Sequence, residues 1–214
     1  MSKSITILGR DSSANVQKVM WCAAELGLDV TREDIGGAFG GNKTDDYLAM
    51  NPNGKIPVMI DGDHIMWESN AIVRYLVEQD ESGDSEGNSW QPTTAQARGI
   101  AGQWMDWALG ELQAPMTVIF WTLIRTAPED RNAKALAAAI VQAGHMLAML
   151  DQHLGTQEYV VGNTPSSGDI PVGGFVNRWF QMEIDRPDLK NLKRWYDALC
   201  QRPAFKTHVM LPLT

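Results

Sequence analysis

A run of residues at 81–89 offers no apolar side chain to a hydrophobic core and divides the chain in two. Glycine, serine and acidic residues dominate this run, which contains no apolar side chain, so we expect a solvated connection. Before it the sequence alternates between strand and helix patterns, and after it only helix patterns occur. The whole chain has 214 residues, enough for two small domains that each bury a core. The sequence therefore predicts domains at 1–80 and 93–214, joined by a linker at 81–92.

The pattern within 1–80 predicts a small mixed sheet with helices packed against it. Four short strands are expected, at 4–8, 30–35, 56–60 and 64–67, and the turn Asp61-Gly62-Asp63 joins the last two as a hairpin. Apolar residues at helical spacing predict one helix that ends at Gly27 and another around 71–76. Residues 36–46 hold four glycines and are expected to form a loop. The order is β-α-β-loop-β-β-α, an α/β domain with an early right-handed crossover.

The pattern within 93–214 predicts an all-α helical bundle. Long helical stretches are expected, punctuated by prolines, at 93–124, 129–154, 167–183 and 188–201. Five of the eight tryptophans lie in this part. Most of them are expected to fill the core, and the others can line a pocket for an apolar ligand.

The net charge of −8 argues against a nucleic-acid partner, because an acidic chain repels phosphate groups. The excess acid is uneven: residues 1–80 carry −5, residues 81–92 carry −3, and residues 93–214 are neutral. An anionic ligand of the first domain would therefore have to be held by local donors.

The sequence also predicts a cytoplasmic protein that binds no membrane and no metal. No run approaches the roughly 18 apolar residues of a membrane span, and the start of the chain lacks an apolar signal segment. Cys22 and Cys200 form no metal-like cluster and are expected to be reduced thiols.

The turn at 9–16, between the first strand and the first helix, places hydroxyl groups beside a helix N-terminus. Ser13 and Asn15 are both good N-caps, so helix capping alone can account for them. A hydroxyl at the positive end of a helix can also donate to a ligand anion, and it would lower the pKa of a bound thiol. No histidine lies near these serines in sequence, so a nucleophilic serine is not supported.

The motif NPNGKIPV at 51–58 places Pro57 at the start of an apolar strand, where proline removes a ladder donor. An ordinary trans turn proline accounts for this. A cis Ile56–Pro57 bond is the alternative, and it would leave the Ile56 backbone able to pair with a peptide ligand.

The motif WESNA at 67–71 ends a strand and opens a helix. Ser69 is a natural N-cap, and capping alone can explain it. The same helix start can bind an anion, while Glu68 can accept from an ammonium. Together these two groups would suit the head group of an amino acid.

These three motifs, in this order and spacing, resemble those of the cytosolic glutathione transferases, and bacterial members similar to the theta and beta classes in particular. Residues 161–169 extend the resemblance, because Ser166 and Asp169 are similar to the capping box and buried aspartate of the family's second domain. Asp169 is therefore assigned to folding. The resemblance implies a thioredoxin-like first domain, an all-α second domain and a homodimer. Its two small-molecule partners would be glutathione, the co-substrate, and an apolar electrophile.

The resemblance also implies roles for individual residues. Ser13 would donate to the glutathione sulfur, with Ser12 as the alternative. The glutathione-binding residues would be Lys55, Ile56, Pro57 (in cis), Glu68, Ser69 and Asn42, with Lys43 nearby.

Candidates for the electrophile pocket have no motif behind them: Trp107, Trp121, Arg178 and the tail at 209–213. We expect Arg178 to pair with a neighbouring acid, rather than to meet an anionic substrate.

The implied function is that of a glutathione S-transferase, which activates the glutathione thiol as a thiolate that attacks electrophilic small molecules in detoxification. One alternative is a glutathione-dependent disulfide or peroxide reductase on the same scaffold, and another is a non-catalytic binding protein. Beta-class members carry a cysteine near the first turn, where this chain has serine. Cys22 lies well inside the first helix and is predicted to be buried, which disfavours exchange through a protein cysteine.

Overall fold

The structure is a computed structural model that describes residues 5–79 and 90–214. A four-stranded sheet with the order β2-β1-β3-β4 opens the chain, built from β1 (Ile5–Leu8), β2 (Val30–Glu33), β3 (Val58–Asp61) and β4 (His64–Trp67). Strand β1 pairs parallel with β2 and antiparallel with β3, which pairs antiparallel with β4. The predicted mixed, thioredoxin-like sheet is confirmed.

Helices cover both faces of this sheet, because successive strand side chains point to opposite sides. Ile7 and Met59 join the main core with α1 (Ala14–Glu25) and α3 (Ser69–Glu78). Leu8 and Val58 point the other way and pack with Tyr47 of α2 (Asp45–Met50). The sequence pattern places a loop up to 46 and misses α2, a six-residue helix too short to show helical spacing. The Thr44 hydroxyl caps it by accepting from the Tyr47 N–H.

The second part of the chain is helical, as predicted. Its helices are α4 (Ala95–Trp107), α5 (Gln113–Phe120), α6 (Ala133–Leu154), α7 (Asp169–Gln181), α8 (Lys190–Gln201) and α9 (Pro203–His208). Helix α7 is central and buried over most of its length. Helix α1 of the first part packs against both α7 and α9, so one continuous core runs through both parts.

Pro115 does not end a helix, although the sequence predicts that prolines punctuate the helical stretches. A π-helical segment, Ala108–Leu112, joins α4 to α5 immediately before it. Proline lacks the N–H that would bond four residues back, and a local widening of the helix accommodates that loss. A second π-helical segment, Trp121–Arg125, follows α5.

Helix α6 is long and apolar enough to cross a membrane by length and composition alone. One of its faces is instead buried against α5 and α8, through Ala143, Leu147 and Leu150. The sequence test for an unbroken apolar run does not detect this helix, because polar residues such as Gln142 and His145 interrupt it.

Residues 81–89 of the predicted linker lie outside the described residues. The division at 1–80, 81–92 and 93–214 therefore stays a prediction. Trp90, inside the predicted linker, is buried in the core and packs edge-on against Trp21. Its carbonyl accepts from the Ser167 N–H, so the chain is anchored to the helical part at this point.

Asp169 connects three parts of the helical region. Its carboxylate accepts from the N–H and hydroxyl of Ser166, from the Val160 N–H and from the Trp195 indole N–H. Burial raises the pKa of this carboxyl, and the four hydrogen bonds oppose the rise. The expected reach back to Ser166 is present. Asp169 is the first residue of α7, whereas a capping box places its acidic residue third in the helix. The Ser166 hydroxyl bonds the carboxylate instead of capping a backbone N–H.

Candidate active site

The strand register brings the three sequence motifs to one end of the sheet. Leu8 is paired with Val58, and Val58 with Trp67. The serine turn leaves the sheet after Leu8, the proline motif enters it just before Val58, and Glu68 follows Trp67. The serine turn and the motif WESNA, more than fifty residues apart, therefore lie at the same end of the sheet.

A cleft of about 190 Å³ opens where this end of the sheet meets the helical part. Its walls come from the turn before α1, from α5 with the π segment that follows it, and from α7: Arg10, Ser12, Ser13, Ala14, Asn15, Gln113, Met116, Thr117, Phe120, Trp121, Arg125, Phe175 and Arg178. Both candidate serines and two of the proposed pocket residues, Trp121 and Arg178, are among them.

Trp107 and the C-terminal tail do not line this cleft. The Trp107 ring packs edge-on against Trp104, with the ring centroids 5.0 Å apart. Leu211 lines a separate pocket beside α1 and α9, and Pro212 and Leu213 line a third beside the end of α7. Helical spacing does not show which side of a long helix faces the sheet, so the sequence could not exclude Trp107.

Ser13 is the N-cap of α1, yet its hydroxyl makes no capping hydrogen bond. Only its backbone takes part in the helix start, where its carbonyl accepts from the Gln17 N–H. Within the described chain the hydroxyls of Ser12 and Ser13 have no hydrogen-bond partner, and both residues line the cleft. Capping therefore does not account for the Ser13 hydroxyl, which is available to a ligand at the positive end of α1.

The Ile56–Pro57 peptide bond is cis, as the resemblance implies. Among the described residues, the N–H and carbonyl of Ile56 have no hydrogen-bond partner. Two hydrogen bonds hold this loop in place. The Lys55 carbonyl accepts from the Tyr47 hydroxyl at 2.7 Å and from the Asn51 side-chain amide at 2.8 Å. Burial raises the pKa of Tyr47 to about 12, so this hydroxyl remains a donor. Sequence reasoning missed the hydrogen bonds of Tyr47 and Asn51. The signal for Asn51 was that it is the first residue of the motif NPNGKIPV.

Asn42 and the Lys43 ammonium serve this loop as well. The Asn42 side-chain amide donates to the Gly54 carbonyl at 2.7 Å, and the Lys43 ammonium lies 3.4 Å from the Asn53 carbonyl. The structure therefore gives Asn42 a role in shaping the loop. The Lys55 side chain, in contrast, is exposed.

Glu68 has a φ of 72°, the left-handed region that residues with a side chain rarely adopt. It is the N-cap of α3, and its side chain does not cap the helix. Ser69, expected as the cap, is the first helical residue and is buried. Strained backbone of this kind is retained mainly at functional sites. Here it leaves the Glu68 carboxylate exposed beside the N-terminus of α3.

Three arginines, Arg10, Arg125 and Arg178, face the cleft, and no acidic residue is among its described lining. The Arg178 guanidinium stacks on Phe120, 4.4 Å from the ring centroid, and donates to the Ser12 carbonyl. Burial, together with the charges of Arg125 and Arg10, lowers its pKa to about 10. The expected acidic partner of Arg178 is therefore wrong for the described chain, since its charged neighbours are cations.

Lys18 is a buried cation that sequence reasoning also missed. Its side chain is 1% exposed, its ammonium lies 5.3 Å from the Phe175 ring centroid, and no described group accepts a hydrogen bond from it. Its pKa is lowered to about 8, chiefly by burial; the nearby charge of Glu68 opposes the shift and that of Arg178 contributes to it. The sequence signal for the burial of Lys18 was helical spacing. Lys18 lies about one helical turn before Cys22, which is buried as predicted.

Two family models match this chain: the glutathione S-transferase N-terminal domain over residues 3–78 and the glutathione S-transferase C-terminal domain over residues 112–203. The chain belongs to the glutathione S-transferase family. The resemblance seen in the motifs is thereby confirmed.

Relatives of this glutathione S-transferase family member match it over nearly its full length. Glutathione S-transferase GstB of Escherichia coli K12 is 38% identical over 98% of this chain and 100% of that protein. Glutathione S-transferase 3 of Zea mays is 28% identical over 98% of this chain and 95% of that protein. Among solved structures, the theta class glutathione S-transferase of Xanthomonas axonopodis pv. citri with glutathione bound is 42% identical, with a TM-score of 0.93 and full coverage of both chains.

No group of three or more histidine, cysteine, aspartate or glutamate side chains within 5–79 and 90–214 could hold a metal ion. Cys22 and Cys200 are not joined by a disulfide. Neither cysteine lines the cleft.

Proposed function

We propose that this chain is a glutathione S-transferase in which Ser13 activates the thiol of bound glutathione. Membership of the family and a relative structure with glutathione bound support the activity. The observation that supports the residue is the Ser13 hydroxyl, which has no capping bond and lies at the N-terminus of α1 in the wall of the cleft.

The tripeptide would lie along the end of the sheet where the three motifs meet. The Ile56 N–H and carbonyl, which have no partner among the described residues, would pair with the cysteinyl backbone. The N-terminus of α3 at Ser69 would hold the γ-glutamyl carboxylate, and the exposed Glu68 would accept from its ammonium. Lys55, exposed beside the same loop, would attract the glycyl carboxylate.

Thiolate formation at neutral pH needs a modest stabilisation. A free thiol has a pKa of about 8.5, and lowering it by about two units takes about 2.7 kcal/mol. One hydrogen bond to a charged group contributes about 1.5–3 kcal/mol, and a helix N-terminus adds about 0.3–1 kcal/mol. The Ser13 hydroxyl and α1 together meet this requirement, with Ser13 acting as a donor and not as a base.

In the reaction the thiol proton leaves to solvent and the glutathione sulfur forms a bond to the electrophilic carbon. The leaving group departs with the electron pair of its bond to that carbon. Nothing in this step requires a protein nucleophile or a metal.

The test is a titration of the thiolate absorbance of bound glutathione. Ser13→Ala should raise the thiol pKa by about one to two units, because it removes a charged hydrogen bond of about 1.5–3 kcal/mol. Ser12→Ala is the matched control, a second cleft-lining hydroxyl on the same turn, and should leave that pKa unchanged. An unchanged pKa in Ser13→Ala would remove Ser13 from this role, and a shift only in Ser12→Ala would transfer the role to Ser12.

Assays with halogenated nitroaromatics and with hydroperoxides or disulfides separate the transferase from a reductase on the same scaffold. A binding protein would hold glutathione without turning over either class of substrate.

The cytoplasmic location stays a prediction, which subcellular fractionation tests. The homodimer also stays a prediction, which analytical ultracentrifugation tests.

A further inference from the structure

We propose that the electrophile taken by the cleft is an anion, a substituted benzene ring that carries a carboxylate. This inference rests on the proposed transferase function and specifies its second substrate. It replaces the apolar electrophile that the family resemblance implies.

The charge of the cleft is the first observation. The chain as a whole is acidic, with a net charge of −8, yet three arginine residues line one cleft of about 190 Å³. No carboxylate is present among the cleft's described residues. Like charges gathered without a counterion repel one another, and a bound anion would relieve that repulsion.

Arg178 has no acidic partner among the described residues, and its charged neighbours are Arg125 and Arg10. Its guanidinium is held in place by stacking on Phe120 and by its bond to the Ser12 carbonyl. Its Nε is buried, and no described group accepts a hydrogen bond from it. A buried donor without an acceptor is costly, and the planar guanidinium fork suits a carboxylate.

The aromatic component follows from the neighbours of these charges. Trp121 is 59% exposed, although it lines the cleft together with Phe120. The π-helical segment that begins at Trp121 ends at Arg125, so one widened turn carries both an exposed ring and a cation. A cavity of about 150 Å³ is known to hold benzene, so a cleft of about 190 Å³ has room for one substituted ring.

Glutathione itself does not account for all three arginines. Its proposed contacts, at Ile56, Glu68 and Ser69, lie on the sheet end of the first part of the chain. Arg178 and Arg125 come from α7 and from the segment after α5, in the second part of the chain. These two residues would therefore meet the electrophile rather than the tripeptide.

The test compares two electrophiles that share the ring, the nitro group and the leaving group but differ in charge: 4-chloro-3-nitrobenzoate and 4-chloro-3-nitrobenzamide. In both, the glutathione sulfur forms a bond to the ring carbon and chloride leaves with the electron pair. Each kcat/KM is divided by the rate constant of the uncatalysed reaction with glutathione, which removes the difference in intrinsic reactivity. The wild-type enzyme should favour the benzoate after this correction.

Arg125→Gln should lower the ratio of benzoate to benzamide kcat/KM about tenfold, which corresponds to about 1.4 kcal/mol. Arg125 is exposed, so this variant is expected to fold. Arg178→Gln should lower the ratio at least as much, with its melting temperature measured because it also loses the Phe120 contact. Lys134→Gln, which removes an exposed cation from α6 outside the cleft, is the matched control and should leave the ratio unchanged.

Equal losses for benzoate and benzamide in Arg125→Gln would overturn the inference, because the arginine would then serve the thiolate or the fold. A wild-type enzyme without preference for the benzoate would overturn it as well. Calorimetric binding of 3-nitrobenzoate against 3-nitrobenzamide needs no turnover. Tighter binding of the benzoate in a protein without transferase activity would therefore refute the proposed function and still support the anion site.

Discussion

Replacing Lys18 by methionine should stabilise the protein at neutral pH. Lys18 is 1% exposed, and no described group accepts a hydrogen bond from its ammonium. Methionine has a similar length, carries no charge and can fill the same space against Phe175. The variant therefore removes the charge with little change in packing volume.

The size of the effect follows from the pKa of the lysine. Burial, the largest cause, and the charge of Arg178 lower this pKa from 10.5 to about 8 against the opposing effect of Glu68. Because one pKa unit is about 1.36 kcal/mol, a charged Lys18 costs the folded state about 3 kcal/mol. Below pH 8 both the folded and the unfolded chain hold the proton, and the full cost applies.

The dependence on pH has a definite sign. Between pH 8 and 10.5 the unfolded chain holds the Lys18 proton while the folded chain has lost it. The free energy of unfolding of the wild type therefore rises with pH relative to that of the variant. The advantage of Lys18→Met should be about 3 kcal/mol at pH 7 and should shrink steadily toward pH 10.5.

Urea denaturation of both proteins at pH 7, 8, 9 and 10 measures this difference, and other titrating groups cancel in the comparison. Lys134→Met, at an exposed position of α6, is the control and should show no such pH-dependent advantage. A Lys18→Met advantage that is absent at pH 7, or that does not change between pH 7 and 10, would refute the reasoning.

Two further predictions concern the loop and the second part of the chain. Lys55→Ala should raise the Kd of glutathione in calorimetry while leaving the melting temperature unchanged, because its side chain is exposed; an unchanged Kd would make Lys55 an ordinary surface residue. Asp169→Ala should lower the free energy of unfolding in urea by at least about 3 kcal/mol, because the buried N–H groups of Ser166, Val160 and Trp195 lose their acceptor. A loss below about 1 kcal/mol would mean that the site relaxes around the missing carboxylate.

Much of the fold is readable from local signals. The hairpin of β3 and β4, the ends of α1 and α3 within two or three residues, and the helical second part all follow from turn residues and apolar spacing. The serine turn, the proline motif and Glu68-Ser69 are contiguous in sequence, so their chemistry is visible before the sheet brings them together. Family membership follows from the same motifs.

Other features depend on packing between distant residues, and the sequence could not predict them. Helix α2 is missed because it is only six residues long. Trp90 is assigned to the linker because the residues before it are polar, yet it is buried in the core. The left-handed φ of Glu68 follows from the way β4 turns into α3. No sequence pattern marks glutamate for that conformation.

The sequence by itself determined the type of domain, the order of the motifs and the acidic balance of the chain. Only the tertiary structure decided the character of the cleft. Three arginines line it, Arg10, Arg125 and Arg178, and more than fifty residues separate each from the next along the chain. They share one cleft only because α5, the segment after it and α7 lie beside the turn before α1. Charge is a sum over space, so a chain of net charge −8 can enclose a cationic cleft.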